Sequence, residues 1–334
     1  MPQHSIVGRR AFALAASAAA LAAPSFAGRT ARAQGTPAAA PQAPAQAPGF
    51  YRFKVGGFTV TTLHDGHLRR PAVDRSLVRN AEPAELQAAL REAFLPTTHF
   101  DIPITVTFVE TPRGLVAFDG GTGGQVAPTA AGLAATMRAA GLDPARVVLV
   151  AVSHFHGDHI SGLTTREDAV VFPNAEVAVP QAEWAHWTDE GAAARAPEGQ
   201  RPTFANTRRR LAPYQARLRR YEDGAELVPG VRAHSAFGHT PGHSVFHVAD
   251  GADQLMVLSD LTNHPVLNMR NPGWHFAGDQ DPEAAAASRR CVLDRAAADR
   301  VRCTAYHWPF PANGYVAREG EGYRFVPAEW SSTP

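Results

Sequence analysis

The sequence predicts an α/β fold in which two strand-rich halves, each with its helices, stack about a shared core. Two patterns carry this. Apolar, β-branched runs alternate with segments of helical period, the order that builds an α/β layer. The residues suited to chemistry sit at the ends of those runs, where the strand ends of one sheet edge face a common cleft. At 334 residues, with 45% hydrophobic and 19% charged, the chain can bury a substantial core in one or two domains.

Taken in order, the first segment is a processing signal. Gly8-Arg9-Arg10-Ala11-Phe12-Ala13-Leu14 opens an Ala/Leu-rich stretch that ends at Ala31-Arg32-Ala33. This is the pattern of a twin-arginine export signal over residues 1–33, cleaved before Gln34, and it predicts a periplasmic or secreted protein handled by the twin-arginine machinery. Its apolar part is too short and alanine-rich for a membrane span. Its loss removes four arginines and no acid, so 32 basic against 31 acidic residues becomes a slight acidic excess. With no basic block, nothing favours nucleic acid as a partner. Residues 34–48 are Ala, Pro and Gln, a flexible linker, and the folded domain is expected over 49–334.

Within it, Tyr51 to Leu63 reads as a hairpin turning at Gly56-Gly57 and ended by the polar cluster His64-Asp65-Gly66-His67. Pro83 to Phe94 is helical in pattern, and Ile104 to Val109 and Leu115 to Phe118 are strands closed by Asp119-Gly120-Gly121. Thr129 to Ala140 is a helix stopped by Gly141. Val147 to Val152 is a strand buried on both faces. Ala175 to Val179 follows as a strand, Gln181 to Trp187 as a short helix, and Thr203 to Tyr221 as a longer one whose six arginines read as a solvated face. Val231 to Phe237, Ser244 to Val248 and Gln254 to Leu258 are strands, Pro282 to Ala298 a helix, and Val301 to Tyr306 a late strand. Cys291 and Cys303 are expected as packed thiols rather than a bridge.

The stretch Ser153-His154-Phe155-His156-Gly157-Asp158-His159 follows the buried strand and brings four ligand-type side chains within six positions. Imidazole and carboxylate suit a borderline divalent ion such as zinc. Three later candidates also close apolar segments: Gly238-His239-Thr240-Pro241-Gly242-His243, Asp260 after Met256 to Ser259, and His307 after Val301 to Tyr306. Together they predict two metal ions. His154, His156 and His243 hold one, Asp158, His159 and His307 hold the other, and Asp260 bridges. Such a pair can share a hydroxide and clamp a carbonyl or phosphoryl oxygen, with no amino-acid nucleophile.

These ordered motifs resemble those of the metallo-β-lactamase superfamily. Within it, the likeness is to methyl parathion hydrolase and related exported lactonase/arylesterase-like enzymes, and it runs from about Tyr51 to Pro327. The resemblance implies a four-layer αββα sandwich with a dinuclear site at one sheet edge. It also implies that Asp119 supports the ligands from behind, and that His243 rather than His239 is the ligand of its motif. Trp187 and Phe204 match aromatic pocket positions, and Trp308, directly after a ligand, joins them as a candidate substrate wall. Ser153, Ser259 and Asp119-Gly120-Gly121 depart from the commoner residues but remove no ligand. The stretch Thr262 to Gln280 differs more, with His264 and His275 as further pocket candidates.

The resulting expectation is an exported hydrolase with Asp158 and Asp260 at the reaction centre and two divalent ions, zinc or otherwise manganese, iron or cobalt. Its substrate would be a small lactone or aryl ester, with a phosphotriester as the alternative and a β-lactam third. A non-catalytic metal-binding periplasmic protein is the reading of a different class, disfavoured because no ligand is missing. A homodimer is compatible with the sequence.

Overall fold

The computed structural model describes residues 46–334, so the export signal and nearly all of the linker lie outside the described residues. The first sheet opens with β1 (Phe50–Val55) and β2 (Phe58–Arg70), paired antiparallel across the Gly56-Gly57 turn. The polar cluster does not end β2. A bulge between His64 and Gly66 absorbs it and the strand continues to Arg70, because Asp65 turns inward and accepts the backbone N–H groups of Thr122 and Leu133 at 2.9 and 2.8 Å.

Helix α1 (Pro83–Glu92) leads to β3 (Phe100–Thr111) and β4 (Gly114–Phe118). Helix α2 (Leu133–Ala139) is shorter than its pattern suggests and stops where Gly141 takes φ +68°, a left-handed conformation that glycine adopts without steric cost. Next come β5 (Val147–Ala151), the single turn α3 (Gly157–Ile160), β6 (Glu176–Pro180), α4 (Gln181–Thr188), α5 (Glu190–Arg195) and α6 (Arg201–Leu211). The helix expected to reach Tyr221 gives way to a 3₁₀ turn and then β7 (Leu218–Tyr221), which pairs with β6 and edges the sheet. Its arginines are tied locally, Arg219 to Glu176 and Arg209 to Asp168, each at 2.6 Å.

Strands β1 to β7 lie in chain order, antiparallel as far as β4 and parallel from β4 to β7. The second sheet comprises β8 (Glu226–Val228), β9 (Val231–Ser235), β10 (Ser244–Asp250), β11 (Asp253–Val257), β12 (Arg302–Thr304), β13 (Asn313–Glu319) and β14 (Gly322–Pro327), again in chain order. Helix α7 (Pro282–Ala298) begins at Asp281, whose carboxylate accepts the Ala284 N–H.

Alternation along the strands builds the layers. Leu149 and Ala151 of β5 meet Phe246, Val248, Leu255 and Val257 in a core between the sheets, while Val147, Val150 and Val152 turn toward α2, α4 and α6. On the other side Val245 and Met256 pack with Leu293 and Ala296 of α7. The order helix, sheet, sheet, helix follows. Each fully buried Val, Leu or Phe contributes about 1.5–3 kcal/mol, so burial and not helix propensity fixes the arrangement. Among the described residues, no helix is long and apolar enough to cross a membrane. Both cysteines are free; Cys303 is packed as expected, whereas Cys291 is exposed.

Candidate metal centre

Where β5 ends, the backbone cannot continue as a strand because Asp119 captures the next residue, accepting the Ser153 N–H at 2.7 Å and its hydroxyl at 2.8 Å. The loop that follows delivers His154 and His156, and α3 delivers Asp158 and His159. Loops after β9, β11 and β12 bring His239, Asp260 and His307 to the same edge. Asp119 and Ser259 hold left-handed backbone at φ 67° and 49°. Strain of this kind, about 1–3 kcal/mol each, concentrates at functional sites.

The side chains gather into two groups, His154, His156, His239 and Asp260 in one and Asp158, His159 and His307 in the other, with the ligand-type atoms of each within 4.8 Å of one another. In the first, His239 Nε2 lies 2.9 Å from His156 Nδ1, which is 3.0 Å from His154 Nε2. Asp260 joins the groups. Its Oδ2 is 3.2 Å from His239 and 3.1 Å from His307, while Oδ1 is 3.0 Å from His159 Nε2. In the second group, Asp158 Oδ2 lies 3.4 Å from His307 Nε2.

Six of the seven expected ligands therefore converge, and the seventh is replaced. His243 lies outside both groups, contrary to its expected role. Its Nδ1–H donates to the Ala236 carbonyl at 2.9 Å, and its Nε2 accepts the backbone N–H of Asp260 at 3.1 Å. With both nitrogens used, the ring has no lone pair left for an ion. It supports Asp260 from behind, and His239 stands in the place expected for it.

The remaining rings are oriented from behind. His159 Nδ1–H donates to Asp119 Oδ2 at 2.8 Å, His239 Nδ1–H to Asp279 Oδ1 at 2.9 Å, and His307 Nδ1–H to the Pro103 carbonyl at 2.7 Å. Each bond turns Nε2 toward the centre. Asp279 was not singled out in the sequence. It also accepts from the buried Arg289 guanidinium at 3.2 Å, and Arg289 in turn donates to the Leu261 carbonyl beside Asp260 at 2.9 Å.

The electrostatics divide these rings in the metal-free protein. Burial lowers His156 and His243 to about 3 and takes His154 well below the usual imidazole range. Burial also opposes charge on His239, but Asp260 and Asp279 outweigh it and raise that ring to about 9. His159 and His307 are raised despite burial, chiefly by Asp260. Asp260 is held well below the carboxylate range by His159 and His307, against its own burial.

These residues fit two divalent ions. The donor set is imidazole and carboxylate throughout. Moreover His159 Nε2 and Asp260 Oδ1 are buried, 3.0 Å apart, and without a hydrogen-bond partner. Unpaired buried polar atoms are costly, and an ion shared between them would satisfy both.

The aromatic wall is a different matter. Trp187, Phe204 and Trp308 are at most 1% exposed, so none offers a surface to a substrate. Trp187 packs on Phe204 at 4.7 Å between ring centroids, and Trp308 packs on Phe325 while its Nε1–H donates to Thr262. All three are core. His275 pairs with Glu283 at 3.3 Å, and buried His264 accepts the Val266 N–H at 3.2 Å.

Proteins of known structure share this fold. The family model described as the metallo-beta-lactamase superfamily matches residues 100–299. The chain is 27% identical to AidC, a dizinc quorum-quenching lactonase solved with the product N-hexnoyl-L-homoserine, at a TM-score of 0.80 over 85% of this chain and 99% of that one. The hydrolase AbOPH of the beta lactamase superfamily superposes at a TM-score of 0.81 and 23% identity, over 86% and 100%. A probable metal-dependent hydrolase from Staphylococcus aureus does so at 0.68 and 18%, over 84% and 100%. These last two bear on the fold alone. No curated protein matches the sequence.

Proposed function

We propose that this chain, which belongs to the metallo-β-lactamase superfamily, hydrolyses a lactone or aryl ester at a centre of two divalent ions. That it is a metal-dependent hydrolase follows from the family and from the likeness to a dizinc lactonase. The observation that carries the finer reading is the position of Asp260, whose carboxylate meets both groups of imidazoles, Oδ2 against His239 of one and His307 of the other and Oδ1 against His159. One carboxylate shared in this way suits a pair of ions close enough to act on the same substrate oxygen.

In this reading His154, His156 and His239 hold one ion, Asp158, His159 and His307 hold the other, and Asp260 belongs to both. When bound, the pair supplies Lewis acidity and a water acidic enough to ionise near neutral pH. The chain does the rest. Asp119, Asp279 and the Pro103 carbonyl fix the tautomers, so that Nε2 of His159, His239 and His307 stays aimed inward. Asp158, at 14% side-chain exposure the most open of the carboxylates here, would accept a proton from the attacking water and return it to the departing alkoxide.

Support for a lactone over a phosphotriester is the likeness to AidC, a dizinc quorum-quenching lactonase. The preference for zinc rests on the same likeness and on the imidazole-rich donor set. The twin-arginine motif supports action outside the cytoplasm.

Side-by-side turnover of a lactone, an aryl ester and a methyl phosphotriester by the metal-stripped chain, reloaded with zinc or manganese, tests the proposal. Metal-dependent turnover is expected, with lactone or ester well ahead of triester. The reverse order would replace this reading with a phosphotriesterase of the methyl parathion hydrolase kind.

A further inference from the structure

Glu183, on the first turn of α4, is a fully buried carboxylate that the reaction does not use. Burying a charge is costly unless hydrogen bonds replace its water. Its Oε1 accepts the Gly242 N–H at 2.6 Å, and its Oε2 accepts the Phe155 N–H at 3.0 Å and the Trp187 indole N–H at 2.8 Å. Phe155 lies between His154 and His156, and Gly242 lies in the loop of His239 and His243. One side chain thus grips both loops that build the first ligand group. Gly242 makes the grip possible: a Cβ there would stand 2.4 Å from the Glu183 nitrogen, so any other residue would push the loop off.

The second group is held by other means. His159 is fixed by Asp119 and stacks on Tyr306 at 3.8 Å, and His307 is fixed by Pro103. None of these contacts passes through Glu183.

We propose that Glu183 is a positioning residue that holds the His154–His156 loop and the His239–His243 loop at their mutual spacing. It thereby sets the affinity of the ion held by His154, His156, His239 and Asp260, without touching that ion. This rests on the metal-holding reading above, but not on the identity of the substrate.

Glu183→Gln keeps the volume and one acceptor oxygen. It places an amide NH₂ against at least one backbone N–H, donor facing donor. The test is titration of the metal-stripped full chain with Zn²⁺ against a chromophoric chelator, together with the absorption spectrum of the Co²⁺-loaded protein. One of two ions should weaken by about 10- to 100-fold, the other by no more than about twofold, with the Co²⁺ spectrum altered for the weakened ion alone. Trp187→Phe, which removes the indole hydrogen bond to Glu183 but leaves its contacts with Phe155 and Gly242 in place, should leave both affinities near wild type.

Two ions held as in wild type by Glu183→Gln, or weakened equally, would overturn the proposal, since a general loss of structure acts on both. Should Glu183→Gln not fold, as read by circular dichroism of the metal-free protein, Gly242→Ala takes its place. That variant keeps the carboxylate and its Phe155 contact, and the same single ion should weaken; unchanged affinities there would also overturn it. Wild-type protein that binds two ions but turns over none of the esters would defeat the substrate reading and leave this test intact. Wild-type protein that binds no ion would defeat both.

Discussion

His239 Nε2 lies 2.9 Å from His156 Nδ1, an approach that two neutral imidazoles make only when one donates to the other or both turn lone pairs toward a cation. The Nδ1–H of His239 is engaged by Asp279, so Nε2 is the nitrogen that faces the centre and would take an ion there on losing its proton. His243, four residues later, spends Nε2 on the Asp260 backbone. The two histidines of one motif thus have opposite duties.

Their variants should separate accordingly. His239→Ala is expected to bind one ion fewer and to lose most turnover. His243→Ala should keep both ions but leave the Asp260 N–H buried without an acceptor, a loss of about 1–3 kcal/mol in stability. Metal content by elemental analysis, read beside urea unfolding, checks this. Loss of an ion from His243→Ala with none lost from His239→Ala would restore the reading made from the sequence.

The pair Asp279 and Arg289 makes a second case. Arg289 is 1% exposed and meets Asp279 at 3.2 Å, so Asp279→Asn strands a buried guanidinium without its counter-charge. Breaking a buried pair from one side costs about 3–5 kcal/mol. The same change leaves His239 a weaker partner, and its ion should bind about 10- to 100-fold less tightly. An unfolding midpoint equal to wild type would show that Arg289 finds its compensation in the carbonyls of Leu261, Pro272 and Trp274 alone.

How far these features could be read from sequence depends on their range. Strand β5 and the ligands after it were legible because an apolar run ending in His-x-His-x-Asp-His is local. The choice between His239 and His243 was not, since it turns on which ring meets Asp260 from behind, seventeen residues beyond His243. Asp279 carries no signal, as it reaches His239 from a loop forty residues away with no spacing to mark it. Strand β7 was hidden because Leu218-Arg219-Arg220-Tyr221 continues the arginine-rich helical period of α6, and only pairing with β6 overrides it. Strands β13 and β14 went unread for a similar reason, being a polar hairpin whose partner β12 is only three residues long.

Core aromatics give a third prediction. Phe204→Ala and Trp308→Ala should each cost about 3–5 kcal/mol, with the ratio of kcat/KM between lactone and aryl ester unchanged. A pocket wall would behave the other way, shifting that ratio by tenfold or more at little cost in stability. Denaturant unfolding and the paired kinetics decide between them.

The divided histidines also set how the metal-stripped protein responds to pH. His154, His156 and His243 have folded-state values below the unfolded 6.5, the latter two at about 3. Their contribution is therefore complete above pH 6.5 and is lost as pH falls from there toward 3, because the unfolded chain takes up protons that the folded chain refuses. His159, His239 and His307 are raised, His239 to about 9. Their contribution is complete below pH 6.5 and is lost as pH climbs above it, for His239 up to about 9. Stability of the stripped chain should therefore peak near pH 6.5 and fall on both sides, and His239→Gln should flatten the alkaline limb. Metal uptake has the opposite slope there: an ion entering beside His239 must displace its proton, so apparent affinity should rise with pH up to about 9 and then level. Urea midpoints at pH 5, 6.5 and 9, with Zn²⁺ titrations across the same range, measure both. A stripped protein that grows steadily more stable up to pH 9 would show that His239 is neutral in the fold and that Asp279 orients the ring without charging it.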